Sequence, residues 1–314
     1  MKTITHLTIY LSLLFLFSCQ EGKKVESDNS TPEPQAAATS LLGETLFAAE
    51  PSEALLEKYE THKANYEANP EDADLLVWYG RFIAYQGKYE EAIKVYSDAI
   101  KQFPEDARFY RHRGHRYISI RKFDEAIADF QKAAQLREGK ENEVEPDGMP
   151  NALNIPVSTL HGNIYYHLGL AHYLKHEFPQ ALEAYKKCLA TSSNPDNVVS
   201  ASNWLYMISQ RMGDEAGANS YMESIHDSLE IIENFNYHDI DLFYKGELSM
   251  EELQEKAESP GSGADAINYA IGNWYFYTGE KEKAKAVFEK ILEGSSWSSF
   301  GYIAAEKDIA THFR

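Results

Sequence analysis

Basic side chains gather at one place in an otherwise acidic chain. Between Ala107 and Phe123 stand Arg108, Arg111, Arg113, Arg116, Arg121 and Lys122, with no Asp or Glu among them, while the whole chain carries a formal net charge of -19. A guanidinium offers a planar fork of donors that matches carboxylate, sulfate or phosphate. Tyrosine faces beside it can stack on a peptide side chain or a sugar ring, and the chain has 21 Tyr. Two uses stay open at this level. The arginines can accept an anionic ligand, or they can pair with acids of neighbouring helices, Arg113 and Arg116 especially. The net charge argues against nucleic acid as a partner, because a polyanion needs an electropositive face. No Gly-rich phosphate loop, zinc motif or nucleophile elbow occurs in the sequence. No catalytic residue, metal or cofactor is therefore expected, and the chain reads as a binding protein, not an enzyme.

The elements that must hold these residues show a period. Gly80 and Gly114 lie 34 residues apart, as do Tyr89 and Phe123, Ala92 and Ala126, Tyr96 and Phe130, and Ala99 and Ala133. Small residues let helices approach closely, and large aromatics fill the gap beside them. This pattern resembles the tetratricopeptide repeat (TPR), two antiparallel helices per unit. The resemblance implies an all-α fold: a right-handed superhelical α-solenoid of helix-turn-helix repeats with capping helices. Clear units fall near 73–106, 107–140, 162–195 and 265–298, with a degenerate one near 199–230. Leu55, Leu56, Tyr59 and Tyr66 recur at helical spacing and predict a lone helix over the first unit. Trp297, Phe300, Tyr302, Ile303 and Ile309 predict a last helix over the final one.

The resemblance also assigns the concave face, which the first helix of each hairpin lines. Candidate ligand-binding residues there are Arg81, Tyr85, Arg108, Arg111, His115, Asn163, Tyr166 and Tyr173. They make a Tyr/Arg-lined groove for a protein or peptide partner, with an acidic glycan or other anion as the alternative ligand. Some relatives clamp a peptide carboxylate with a Lys, Asn and Arg set. Val77 stands where that Lys is expected, so the clamp is not implied. His172 and His176 are four apart on a helix and could share a metal, but the resemblance places His172 inside the hairpin and His176 at its turn. His112 and His115 invite the same idea, which the surrounding arginines oppose. Cys188 falls where the repeat prefers a small buried residue and reads as a packing thiol.

The remaining segments are interruptions and an N-terminal leader. Residues 141–161 are inserted between the second and third units, and Met149, Leu153, Ile155 and Val157 predict a packed loop at a groove edge. Residues 231–263 are irregular, with a helix expected from Ser249, where Glu252 completes a capping box. At the start, Lys2, an apolar run from Leu7 to Phe17 and Leu16-Phe17-Ser18-Cys19 resemble a lipoprotein signal peptide over 1–18. That resemblance makes Cys19 the lipidation site of a Gram-negative lipoprotein, anchored by more than one acyl chain. A flexible linker is then expected over 19–51. Gln20, in place of Asp, implies outer-membrane anchoring, periplasmic or surface-facing, with the lipid as the sole membrane contact.

Overall fold

The computed structural model describes residues 36–258 and 262–314. The expected signal peptide, Cys19 and most of the expected linker lie outside them. The described chain is almost wholly helical. Two short antiparallel strands, β1 (Ala36–Thr39) and β2 (Thr45–Phe47), come first. Helix α1 (Glu53–Ala68) follows, then the hairpins α2 (Ala73–Tyr85) with α3 (Tyr89–Gln102), α4 (Ala107–Ser119) with α5 (Phe123–Arg137), and α6 (Leu160–Leu174) with α7 (Phe178–Ala190). Next stand α8 (Pro195–Arg211) and the short α9 (Glu215–Ser220), then α10 (Phe235–Tyr244) and α11 (Met250–Lys256). The hairpin α12 (Ser262–Tyr277) with α13 (Lys281–Leu292) leads to a last helix, α14 (Phe300–His312).

Local chemistry sets the helix starts. Ser52, Asp72, Asp106, Thr159, Asn194 and Ser299 each accept a hydrogen bond from a first-turn amide. Ser249 and Glu252 form the reciprocal capping box. Within each clear hairpin a glycine of the first helix faces an aromatic ring sixteen residues on. A Cβ at Gly80, Gly169 or Gly272 would fall 2.5 Å from the rings of Tyr96, Tyr185 and Phe288, and at Gly114 it would fall 2.9 Å from Phe130. Those rings are all buried, so a methyl group there overpacks the hairpin.

The turns within hairpins need a left-handed residue. Gly87, Gly213 and Gly279 supply it at φ 76, 77 and 94°, which costs glycine nothing. The equivalent turns of the second and third hairpins use Arg121 and His176 instead, at φ 63 and 61°, where a side chain brings strain of about 1 kcal/mol.

Several expectations are corrected. The linker expected to run to 51 stops short: Leu46 of β2 is buried in the main core, and Trp297 donates its indole N–H to the Phe47 carbonyl at 2.6 Å. In the insertion, Val157 is buried, but Met149, Leu153 and Ile155 are exposed, and polar contacts hold it instead. The degenerate unit starts at Pro195, and its second helix is only six residues long. The irregular stretch carries α10 as well as the expected α11.

The last helix does more than cap. α14 packs on α12 and α13 and also reaches α6. Arg121, at the turn after α4, pairs with Glu306 of α14 at 2.5 Å and donates to the Trp297 carbonyl at 2.9 Å. One hydrophobic cluster joins residues of β2, α4 to α8 and α12 to α14. The solenoid thus closes on itself through its final helix.

Candidate ligand-binding cavity

Helices α2, α4 and α6 lie side by side, and their inward side chains surround a cavity of about 390 Å³. Arg81, Tyr85, Arg111, His115, Asn163 and Tyr166 all line it. Arg108 and Tyr173 do not. Arg108 sits outside, bound to Asp106 at 2.6 Å and Asp74 at 2.5 Å, because both acids lie beside it at the start of their hairpins. Tyr173 is buried between helices, with its hydroxyl 2.6 Å from that of Tyr269.

The insertion enters this cavity. Its backbone is held by the Glu145 amide donating to Ser158 and by an isolated bridge between Val144 and Thr159. Glu145 is buried, accepts from Asn163 Nδ2 at 2.9 Å, and lies 3.2 Å from both Arg111 Nε and His112 Nε2. Arg81 donates to the Pro146 carbonyl at 2.7 Å and to the Tyr85 hydroxyl at 3.1 Å. The approach of Arg111 Nε and His112 Nε2 to Glu145 lacks hydrogen-bond geometry. These two nitrogens and His115 Nδ1 are buried without a hydrogen-bond partner among the described residues. Buried polar atoms are seldom left so.

The charge state follows from burial. Burial first, and then Arg111, push His112 and His167 down to about 3. Burial and Arg116 hold His115 well below its ordinary range. All three rings are neutral near pH 7. Burial alone would raise the Glu145 carboxyl, but the Arg111 charge outweighs it, helped by the Asn163 hydrogen bond, and keeps Glu145 ionised.

The basic run is therefore largely neutralised. Arg108, Arg111, Arg113 and Arg121 each have an acid: Asp106, Glu145, Asp129 and Glu306. Arg116, expected to pair like Arg113, is the exception. It is 9% exposed, lines the cavity, packs its guanidinium over Tyr89 at 5.6 Å, and has no ion pair or side-chain hydrogen bond among the described residues. Apolar surface completes the wall: Phe300 of α14 lies 5.6 Å from His115 and 6.2 Å from Tyr166.

Sequence reasoning missed the far wall. The Asp196 carboxylate is fully buried and accepts the amides of Ile232, Glu233 and Asn234, which brings Tyr237 against Tyr166 at 2.7 Å. The only signal was Asp196 in the first turn of a helix. His172 Nδ1 donates to the Glu177 carboxylate at 2.7 Å, within its own hairpin. Cys188 is buried, and its thiol is pushed up to about 12 by that burial, as suits a packing group.

Comparison with known proteins gives consistent repeats. A tetratricopeptide repeat family model matches residues 53–107 and 84–141, and a second tetratricopeptide repeat model matches 266–293. The chain is 33% identical over 101 residues to small glutamine-rich tetratricopeptide repeat-containing protein 2 of Saccharomyces cerevisiae, covering 32% of this chain and 23% of that one. It is 27% identical over 139 residues to BBSome complex member BBS4 of Bos taurus, covering 44% and 22%. The chain thus spans under a quarter of the length of these curated relatives. Among solved structures, a tetratricopeptide repeat protein from Parabacteroides merdae shares 16% identity with a TM-score of 0.48, covering 81% of this chain and 92% of that one. YrrB, described as a TPR protein with an unusual peptide-binding site, shares 18% identity with a TM-score of 0.43, covering 79% and 96%.

Proposed function

Because the chain is a tetratricopeptide repeat protein, we propose that it is an interaction scaffold whose cavity between α2, α4 and α6 takes a carboxylate-bearing segment of a protein partner. Such repeats generally serve as non-enzymatic scaffolds. One observation carries the choice of ligand: Arg116 stands on the cavity wall with no acid beside it among the described residues. The Arg116 guanidinium nitrogens are not among the buried unpartnered atoms and stay open to a ligand carboxylate, which forms a charge-assisted pair with them. Glu145 supports the same chemistry, since the insertion already delivers one carboxylate to the neighbouring Arg111. The aromatic wall of Tyr166, Tyr237 and Phe300 suits the apolar part of a peptide side chain. In this reading a lipid on Cys19 holds the scaffold at the outer membrane.

The test is photo-crosslinking in the native cell from a photoreactive phenylalanine at position 300, with and without Arg116→Gln. A hydrogen bond to a charged group contributes about 2 kcal/mol, or about 30-fold in affinity. Protein adducts should therefore fall sharply in the variant. Adducts of unchanged yield refute a role for Arg116. Adducts that are carbohydrate replace the peptide reading with the acidic glycan.

A further inference from the structure

The turn of the third hairpin and the last helix bring three metal-ligand side chains together, away from the cavity. His176 occupies the turn between α6 and α7, and Asp308 and His312 lie one helical turn apart on α14. His176 Nε2 is 3.3 Å from Asp308 Oδ1, and His312 Nε2 is 3.7 Å from the same oxygen. The three ligand atoms all lie within 4.8 Å of one another. Donors bound tetrahedrally at about 2.0–2.1 Å stand about 3.4 Å apart, so the observed spacings need only small side-chain adjustments.

The two oxygens of Asp308 have different roles. Oδ2 accepts from Arg211 Nη2 at 2.5 Å and from the Tyr269 hydroxyl at 2.9 Å, and Tyr173 in turn reaches Tyr269. This network fixes the carboxylate in the way that outer-shell groups orient a metal ligand. Oδ1 is fully buried, points at the two imidazoles, and has no hydrogen-bond partner of good geometry among the described residues. The Arg211 charge is spent on Oδ2 and on the Asn273 side-chain carbonyl, and its face packs on Phe276. The His176 and His312 side chains remain 16% and 32% exposed, which leaves a solvent-facing coordination position.

We propose that His176, Asp308 and His312 bind one divalent transition-metal cation of the zinc type, with water in the open position. Two imidazoles and one carboxylate suit such a cation and not calcium or magnesium, which prefer oxygen alone. The ion clasps α14 to the third hairpin and locks the closed solenoid. It also gives a reason for a histidine at φ 61°, where the turns at Gly213 and Gly279 use glycine.

The experiment uses the full chain without an added histidine tag, stripped with chelator and titrated with zinc chloride by calorimetry. Cobalt(II) substitution follows, read by its visible absorption. One zinc per chain and a tetrahedral-type cobalt spectrum are expected. The double variant H176A/H312A, with its helix content checked by circular dichroism, should bind zinc at least ~100-fold more weakly at that site. Zinc should slow amide exchange across 300–312 in the wild type and leave the variant unchanged. No saturable zinc binding, or equal binding by the double variant, overturns the site. Binding without protection of α14 overturns the clasp.

Discussion

The closure of the solenoid can be tested at its central ion pair, and Arg121→Met is the sharpest probe. Arg121 and Glu306 are 3% and 0% exposed. Arg121 also donates to the carbonyls of Ser119 and Trp297, at 2.6 and 2.9 Å, and stacks over the Trp297 ring at 5.5 Å. Glu306 accepts besides from the Leu41 amide, which ties the β1–β2 turn to the same point. Methionine keeps the apolar stem but removes the charge. Glu306 is then buried with a single backbone donor, and breaking a buried pair from one side costs about 3–5 kcal/mol. A second variant separates charge from packing. In R121M/E306Q the amide can still accept the Leu41 N–H and carries no charge, so the double variant should be more stable than R121M by about 2 kcal/mol or more. Urea unfolding reads the global effect. Amide exchange across 300–312 reads the local one, and a loss of about 3 kcal/mol there speeds exchange about 150-fold if opening is local. A cost below about 1 kcal/mol for R121M, or no recovery in the double variant, refutes closure through this pair.

Two further outcomes follow from the cavity and the leader. His112, His115 and His167 are held neutral by burial, and two of them titrate only near pH 3 in the fold. In the unfolded chain each takes up a proton near pH 6.5, so stability is full above that pH and falls as pH drops below it. Three such groups give a limiting slope of about 4 kcal/mol per pH unit, and the urea midpoint should therefore drop between pH 7 and pH 5. An unchanged midpoint contradicts the burial of these rings. For the anchor, Cys19→Ala should move the protein from the membrane fraction to the soluble one, and retention in the membrane fraction removes the lipid from the proposal.

The repeat was legible because its cause is local. A glycine facing an aromatic ring sixteen residues on is a contact within one hairpin, so it leaves its mark at fixed spacing in every clear unit. What closes the molecule has no such mark. Glu306, Asp308 and the β1–β2 turn join residues between about 100 and 270 positions apart, and nothing in the period of 34 selects them. The stretch 36–51 groups with the tether because it continues from the polar, Pro-containing run 20–38 and shows no helical period, although Leu41, Leu42, Leu46 and Phe47 make it apolar. Buried Leu46, the partly buried Ala37, Ala38, Leu41 and Leu42 packed on the core, and hydrogen bonds from Trp297 and to Glu306 dock it.

The cavity divides along the same line. Helix position brought six of the eight candidates to one place, because side chains on one face of parallel-stacked helices converge whatever their chemistry. Which arginine stays available was decided by acids that arrive from elsewhere. Asp74 and Asp106 withdraw Arg108, and Glu145 covers Arg111 from an insertion outside the repeat pattern. Arg116 escapes because the helices packed against it offer Tyr89 and not an acid. A guanidinium's position in a repeat thus fixes the direction it points. Its availability depends on the charge inventory of every neighbouring segment, and here the insertion supplies the deciding carboxylate. In the proposed reading the 141–161 loop, which contributes Glu145, Pro146 and Asp147 to the same cavity as Arg116, would also meet the ligand.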